Sequence, residues 1–568
     1  MLQLLIFVLP AFAVARNLTS NLGPVVDLGY AAFAGNTTTP TGVLDGPVAF
    51  FGNIPFAQPP VGELRWRAPV MLNERTTTQT VSDARNWGPA CIQRPAVPGI
   101  GSEDCLTLNV WKPTKSFAGA KLPVMVYIHG GGFYANTPQG FPLYDWVAQN
   151  PHLVGVSITY RLNMWGFLGG PVVAGDGDLN VGLRDQRAGL EWVQRHISAF
   201  GGDPEQVTIL GESAGGASVI MQTVAFGGKK PVPFKRVVAQ SIGFGPTNTN
   251  AQTNSFFEQA ASFIGCPTSG PASMPCMRKA SVGALIGAVN HIRNGAFAPV
   301  IEGPSDPRST TTDAFLVDLP SRLIHAGAFP NVDFVGGHCT GDGKTFSSGR
   351  PEQFVTDDDV KRLVFSRWPG VSNATQDRAL ALYPAPGTPG SPFATQFDRA
   401  SAMAGEAIFV CMDWLMSDAL TKRGVKNVFA YSWNAPDTVI SQTQPYRGAA
   451  HTSDLYYLFD GTNTIPNAGN TFTPFNESES LLSREAIAYW TSFGTTGNPN
   501  TSKLPTSPPW APFNSSLTEP EEGRAHLVLT RGADGGTVTA SAMGVKGPSQ
   551  IERCVFWMSE EVTEETRV

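Results

Sequence analysis

Val207-Thr208-Ile209-Leu210-Gly211-Glu212-Ser213-Ala214-Gly215-Gly216 is the most instructive stretch of the chain. Its first four residues are apolar or β-branched and read as a short buried strand. Gly211 to Gly215 then fits Gly-x-Ser-x-Gly, and Ala217-Ser218-Val219-Ile220-Met221 reads as the start of a helix. A strand that turns sharply into a helix leaves its serine on a strained bend with the hydroxyl exposed. Gly211 and Gly215 remove the Cβ atoms that would crowd such a bend. The helix start adds unpaired N–H groups and a positive dipole end beside the serine. A bare Gly/Ser turn would satisfy the five-residue pattern as well. The flanking strand and helix single out Ser213 as a nucleophile.

Outward from this stretch the pattern is strand, helix, strand. Pro123-Val124-Met125-Val126-Tyr127-Ile128-His129 is a continuous apolar run, as expected of a strand buried on both faces, and it runs into Gly130-Gly131-Gly132-Phe133. Leu153 to Tyr160 is another such run. Val181 to Phe200 reads as a helix, with Leu183, Leu190, Val193 and Ile197 at near-helical spacing. Arg236 to Gln240, Val332 to Gly336 and Val428 to Ser432 read as further strands, and Cys105 to Trp111 alternates like one. Ala49 to Pro60 is Pro-rich and reads as an ordered loop. Residues 350–410 are expected to form a cap region. The alternation argues for an α/β protein with a large, mostly parallel sheet and crossover helices. No composition break or repeat divides the chain, so residues 16–568 are expected to be a single domain.

The bulk properties narrow the partners. The chain has 568 residues, 42% of them hydrophobic, and a net charge of -6 with both signs well mixed. No basic run points to nucleic acid. Met1 to Ala15 is apolar and ends in Ala13-Val14-Ala15, which reads as a secretory signal peptide of residues 1–15, although a positive n-region is missing. Export makes the seven cysteines candidates for pairing, with one left over. It also makes Asn17, Asn36, Asn373, Asn476, Asn500 and Asn514 candidate glycan sites, since each begins Asn-x-Ser/Thr. No metal-ligand cluster or dinucleotide fingerprint is present, so neither metal nor cofactor is expected.

A serine hydroxyl needs a base, and the base needs a group to orient it. Beyond a Gly-x-Ser-x-Gly bend these follow in the order Asp/Glu, then His. His526 lies in what reads as a strand interior. His451 lies in the small-residue loop Arg447-Gly448-Ala449-Ala450-His451-Thr452-Ser453-Asp454, a place suited to presenting a base. Asp342, in Gly341-Asp342-Gly343-Lys344, follows an apolar strand and is a candidate acid, or simply a Gly-flanked turn aspartate. The three glycines 130–132 are a candidate oxyanion hole, and the Ala214 N–H would be a further donor.

Together these stretches resemble the type-B carboxylesterase/lipase family of α/β-hydrolases, which includes cholinesterases and fungal lipases. The likeness covers nearly the whole mature chain. It rests on Phe200-Gly201-Gly202-Asp203-Pro204 through Gly215, on Ser102-Glu103-Asp104-Cys105-Leu106-Thr107-Leu108-Asn109-Val110, on Asn180 to Gln186 and on Gly494 to Pro499. The resemblance implies a secreted fungal carboxylic-ester hydrolase with Ser213, Asp342 and His451 as triad and Gly131, Gly132 and Ala214 as oxyanion donors. Aspartate stands where the family usually has glutamate. The resemblance further implies disulfides Cys91–Cys105, Cys266–Cys276 and Cys411–Cys554, an unpaired Cys339, and an Arg65–Glu103 ion pair. The Cys91–Cys105 loop is much shorter than the lid of the family's lipases, which implies an open site. Acylglycerol, sterol or carotenoid, and feruloyl-type aromatic esters are the substrate classes implied. The alternative is a non-catalytic adhesion protein on the same fold, a type this family also contains.

Overall fold

The computed structural model of the chain describes residues 18–37, 47–75, 80–303, 313–462, 472–513 and 525–568. The proposed signal peptide and two of the candidate glycan sites, Asn17 and Asn514, lie outside them. In chain order the strands are β1 (Val25–Asp27), β2 (Ala32–Ala34), β3 (Val48–Pro55), β4 (Val81–Asp83), β5 (Thr107–Pro113), β6 (Leu122–Ile128), β7 (Val154–Ile158), β8 (Gly202–Glu212), β9 (Arg236–Gln240), β10 (Asp333–Cys339), β11 (Val428–Trp433), β12 (Ala525–Leu529) and β13 (Ala542–Val545). Ten of them form one sheet in the order β13-β12-β11-β10-β9-β8-β6-β7-β5-β3, and β1, β2 and β4 form a small separate sheet.

Strands β7, β6, β8, β9, β10, β11 and β12 run parallel, while β5 and β13 run antiparallel to their neighbours. The chain is thus an α/β protein with a large mixed sheet flanked by helices, as the sequence implied. Period-two alternation distributes the central strands between two cores: Val124, Val126 and Ile128 of β6 face one, Met125 and Tyr127 the other. Removing one such side chain from water contributes roughly 1.5–3 kcal/mol.

Two expectations need correction. Ala49 to Pro60 is not all loop, because Val48–Pro55 is the edge strand β3, paired with β5. An edge strand needs its ladder donors on one side only, and Pro55 falls at its end, so proline does not exclude it. Gly52-Asn53 is absorbed as a register shift between Phe51 and Ile54. The helix expected to reach Phe200 is α-helical over Val181–His196 and tightens to a 3-10 turn over Ile197–Phe200. Gly201 then ends it at φ 90°.

The three expected disulfides are present, and Cys339 is a buried free thiol. Arg65 and Glu103 form a bidentate pair at 2.6 and 2.7 Å. Asn373 and Asn476 are exposed. Asn36 and Asn500 instead commit their Nδ2 to the carbonyls of Arg85 and Trp510, each at 2.8 Å. A glycan there would displace those bonds. No helix among the described residues is long and apolar enough to cross a membrane.

Candidate functional site

The candidate groups gather beyond the carboxyl ends of the central parallel strands, where open α/β sheets carry their chemistry. Strand β6 leads into Gly130-Gly131-Gly132, β8 into Ser213, and β10 into Asp342. His451 comes from the loop before helix Ser453–Leu458.

Ser213 has φ 59° and ψ −122°, a conformation that costs a non-glycine residue on the order of 1–3 kcal/mol. The bend is held from both sides: Ser213 N–H donates to the Gln240 carbonyl at 3.0 Å, and its own carbonyl accepts from Gly243 and Ala217. The helix Ala214–Val224 begins immediately after, so the Ala214 N–H has no intrahelical partner. Gly211 and Gly215 are there for close approach. A Cβ on Gly215 would lie 2.1 Å from the Ile128 carbonyl oxygen, and one on Gly211 would lie 2.6 Å from the same atom.

The glycine loop after β6 has φ 105° at Gly131 and 61° at Gly132, values that side chains rarely adopt. Behind it His129 is buried, stacks on Tyr160, and shares a 2.8 Å hydrogen bond between Nδ1 and the Gly130 carbonyl. Burial holds His129 down to about 4, and the Gly130 bond offsets this only in part. It is therefore a neutral structural prop.

His451 Nδ1 lies 2.7 Å from Asp342 Oδ1, and the carboxylate fixes the tautomer with the proton on Nδ1. Asp342 Oδ2 accepts from Cys339 N–H and from Ser241 Oγ, each at 2.9 Å. The acid and base loops are tied together by the Gly341 N–H to the Ala449 carbonyl at 2.8 Å. Phe346 and Phe409 pack on the imidazole, with ring centroids 4.9 and 4.7 Å away. The shorter aspartate thus reaches the histidine directly. His451 Nε2 has no hydrogen-bond partner among the described residues, and it lies 3.2 Å from Glu212 Oε1.

Glu212 and Asp454 were not singled out by sequence reasoning, and Ser241 stood out only as part of Ser241-Ile242, where the family usually has Ser-Gly, not as a partner of Asp342. Glu212 is the variable residue of Gly-x-Ser-x-Gly, so the pattern carries no signal for it. Burial pushes its carboxyl well above the ordinary range, with the His451 charge pulling against that. On His451 burial acts downward, but the charges of Glu212 and Asp342 outweigh it and raise the imidazole to about 9. Asp454 is buried and accepts from Gln240 Nε2 at 2.8 Å and Tyr431 Oη at 3.1 Å.

Gly131, Gly132, Ser213 and His451 line a cavity of about 920 Å³, and Asp342 lies behind His451. Met221, Phe256, Phe346 and Phe409 supply its apolar wall. Residues of segments 133–136, 245–249, 293–299, 366–370 and 565–567 also line it. The Cys91–Cys105 loop, whose shortness implied an open site, contributes no lining residue. The 366–370 turn comes from the region expected to be a cap. Among the described residues no cluster of three or more His, Cys, Asp or Glu could hold a metal.

Comparison with known proteins bears on this site. The sequence model of the carboxylesterase family matches residues 23–527. A secreted lipase of Arthroderma benhamiae is 30% identical over 94% of this chain and 95% of its own length. Lipase 1 of Geotrichum candidum is 31% identical over 77% of this chain and 84% of its own. The crystal structure of EstA from Aspergillus niger superposes with a TM-score of 0.80 at 28% identity, covering 96% of this chain and all of that one.

Proposed function

Since the chain belongs to the carboxylesterase family and is a carboxylic-ester hydrolase, we propose that it works through a Ser213–His451–Asp342 triad and an acyl-enzyme. The observation that carries this reading is the 2.7 Å Asp342–His451 hydrogen bond behind a cavity that His451 shares with Ser213 on its strained bend. Ser213 attacks the ester carbonyl while His451 Nε2 takes its proton. The same proton then passes to the leaving alcohol, and water repeats the sequence on the acyl-enzyme. Asp342 orients the imidazole and stabilises its cation. The N–H groups of Gly131, Gly132 and Ala214 are the proposed donors to the oxyanion, each contributing about 3 kcal/mol.

The mature protein is proposed to be exported after removal of residues 1–15 and to form a single domain. The paired cysteines and the likeness to a secreted lipase support export. The phenylalanine-rich wall suits lipid-like or aromatic esters, among them acylglycerol, sterol and feruloyl esters. A fluorophosphonate probe tests the triad. Wild-type protein is expected to be labelled and Ser213→Ala unlabelled and inactive. Equal labelling of both would move the nucleophile to another residue, and none of either would favour a non-catalytic adhesion protein. A p-nitrophenyl ester series graded by chain length, with methyl ferulate beside it, tests the substrate class.

A further inference from the structure

The cavity that holds Ser213 and His451 also carries three guanidinium groups, those of Arg293, Arg367 and Arg567. Two are occupied. Arg567 Nε donates to the Thr247 carbonyl at 2.7 Å. Arg293 lies over the Phe256 ring at 4.7 Å and donates to the Asn294 carbonyl at 3.3 Å. Arg367 has no hydrogen bond and no ion pair with any described residue, and its Nε is buried without an acceptor. Its one contact of note is the face of Phe346, 5.1 Å from the guanidinium carbon. Burial without a counter-charge pushes Arg367 below its ordinary value, with only Tyr134 opposing. The group nevertheless stays protonated, because guanidinium is too basic to give up its proton under ordinary conditions.

This unpaired charge is one aromatic ring away from His451. Phe346, which it covers, packs edge-on against His451. Tyr134, its electrostatic neighbour, belongs to the glycine loop and would touch a Cβ placed on Gly132. The acids nearby are spoken for. Asp342 is held by His451, Ser241 and Cys339, Glu212 faces His451, and Glu565 accepts from the Ser372 N–H at 3.0 Å. Arg367 is half-buried on the cavity wall, and a partly desolvated cation with no protein partner suits an anionic ligand. The planar fork of a guanidinium matches a carboxylate with two parallel hydrogen bonds.

We propose that Arg367 determines specificity by binding a carboxylate on the substrate, so that the preferred esters carry an acid group in addition to the ester bond. The proposal rests on the ester-hydrolase reading of the same cavity and names the class of ester it takes.

Two matched pairs test it. Mono-4-nitrophenyl glutarate against 4-nitrophenyl pentanoate places the acid on the acyl side. 4-Acetoxybenzoate against its methyl ester places it on the alcohol side. In wild-type protein the kcat/KM ratio of acid to neutral ester is expected to exceed one for at least one pair. In Arg367→Gln that ratio is expected to fall by about tenfold or more, as for loss of a charge-assisted hydrogen bond, while Arg367→Lys keeps part of it. A measurement free of any variant is the salt dependence of the wild type, whose acid-ester kcat/KM should fall with ionic strength more steeply than the neutral one. Preference for the neutral ester in both pairs, or a ratio unchanged in Arg367→Gln, overturns the proposal. A protein that takes the fluorophosphonate and cleaves neutral esters without acid preference refutes this inference alone. One that does neither refutes the hydrolase mechanism with it.

Discussion

His451 stands between two buried carboxylates, and its behaviour follows from which of them holds the proton. Asp342 receives Nδ1–H on one oxygen and two further donors on the other. Asp342→Asn keeps the shape but no longer stabilises the cation or selects the tautomer. Ester turnover should fall on the order of 10³–10⁴-fold with folding intact, read as kcat beside a circular dichroism spectrum. Near-normal turnover would move the acid's role elsewhere. Glu212, 3.2 Å from Nε2, acts differently. A negative charge there raises His451 toward about 9, and only the neutral imidazole serves as base, so activity rises with pH through that value. Glu212→Gln removes the charge. The acid limb of the kcat/KM profile should therefore move to lower pH, and a limb that does not move would show that Glu212 is uncharged beside a neutral histidine.

At the scale of elements, the bend after β8 is set by sterics. Gly215 lies against the Ile128 backbone, where a methyl group would come within 2.1 Å of a carbonyl oxygen that no rotamer change can move aside. Gly215→Ala should displace Ser213 from the glycine loop and lower kcat/KM by at least about 10²-fold, since small misplacements of reacting groups cost that much. Activity within a few-fold of wild type would mean the bend has more slack than this contact allows. Such elements are legible because a strand, a bend and a helix start are encoded within about ten residues. The β3 strand was not, because Pro55 and Pro59 dominate a local reading while the strand's identity comes from pairing with β5. The walls of the cavity were not legible either. The short Cys91–Cys105 loop contributes no lining residue, and the wall comes instead from residues of 245–249, 293–299 and 366–370.

At the scale of the molecule, the ten-stranded sheet draws on residues from Val48 to Val545, and it aligns the ends of β6, β8 and β10 on one edge of the cavity. The Cys411–Cys554 disulfide joins helices Cys411–Lys422 and Pro548–Trp557 across 143 residues. A loop of that length strongly restricts the unfolded chain. Replacing both cysteines by serine should cost about 2–5 kcal/mol, read as a lower midpoint in denaturant. An unchanged midpoint would mean that this link is not a main support of the fold.

Short-range information was enough for the α/β class, for the serine on its bend and for the order in which acid and base follow, because glycine placement and apolar periodicity act over a few residues. It could not reveal that Ser241 supports Asp342 across 101 positions, that Glu212 faces His451, or that Arg367 lies unpaired in the same cavity. Burial and charge pairing belong to groups distant along the chain, and their energies exist only once packing has excluded water and brought those groups together.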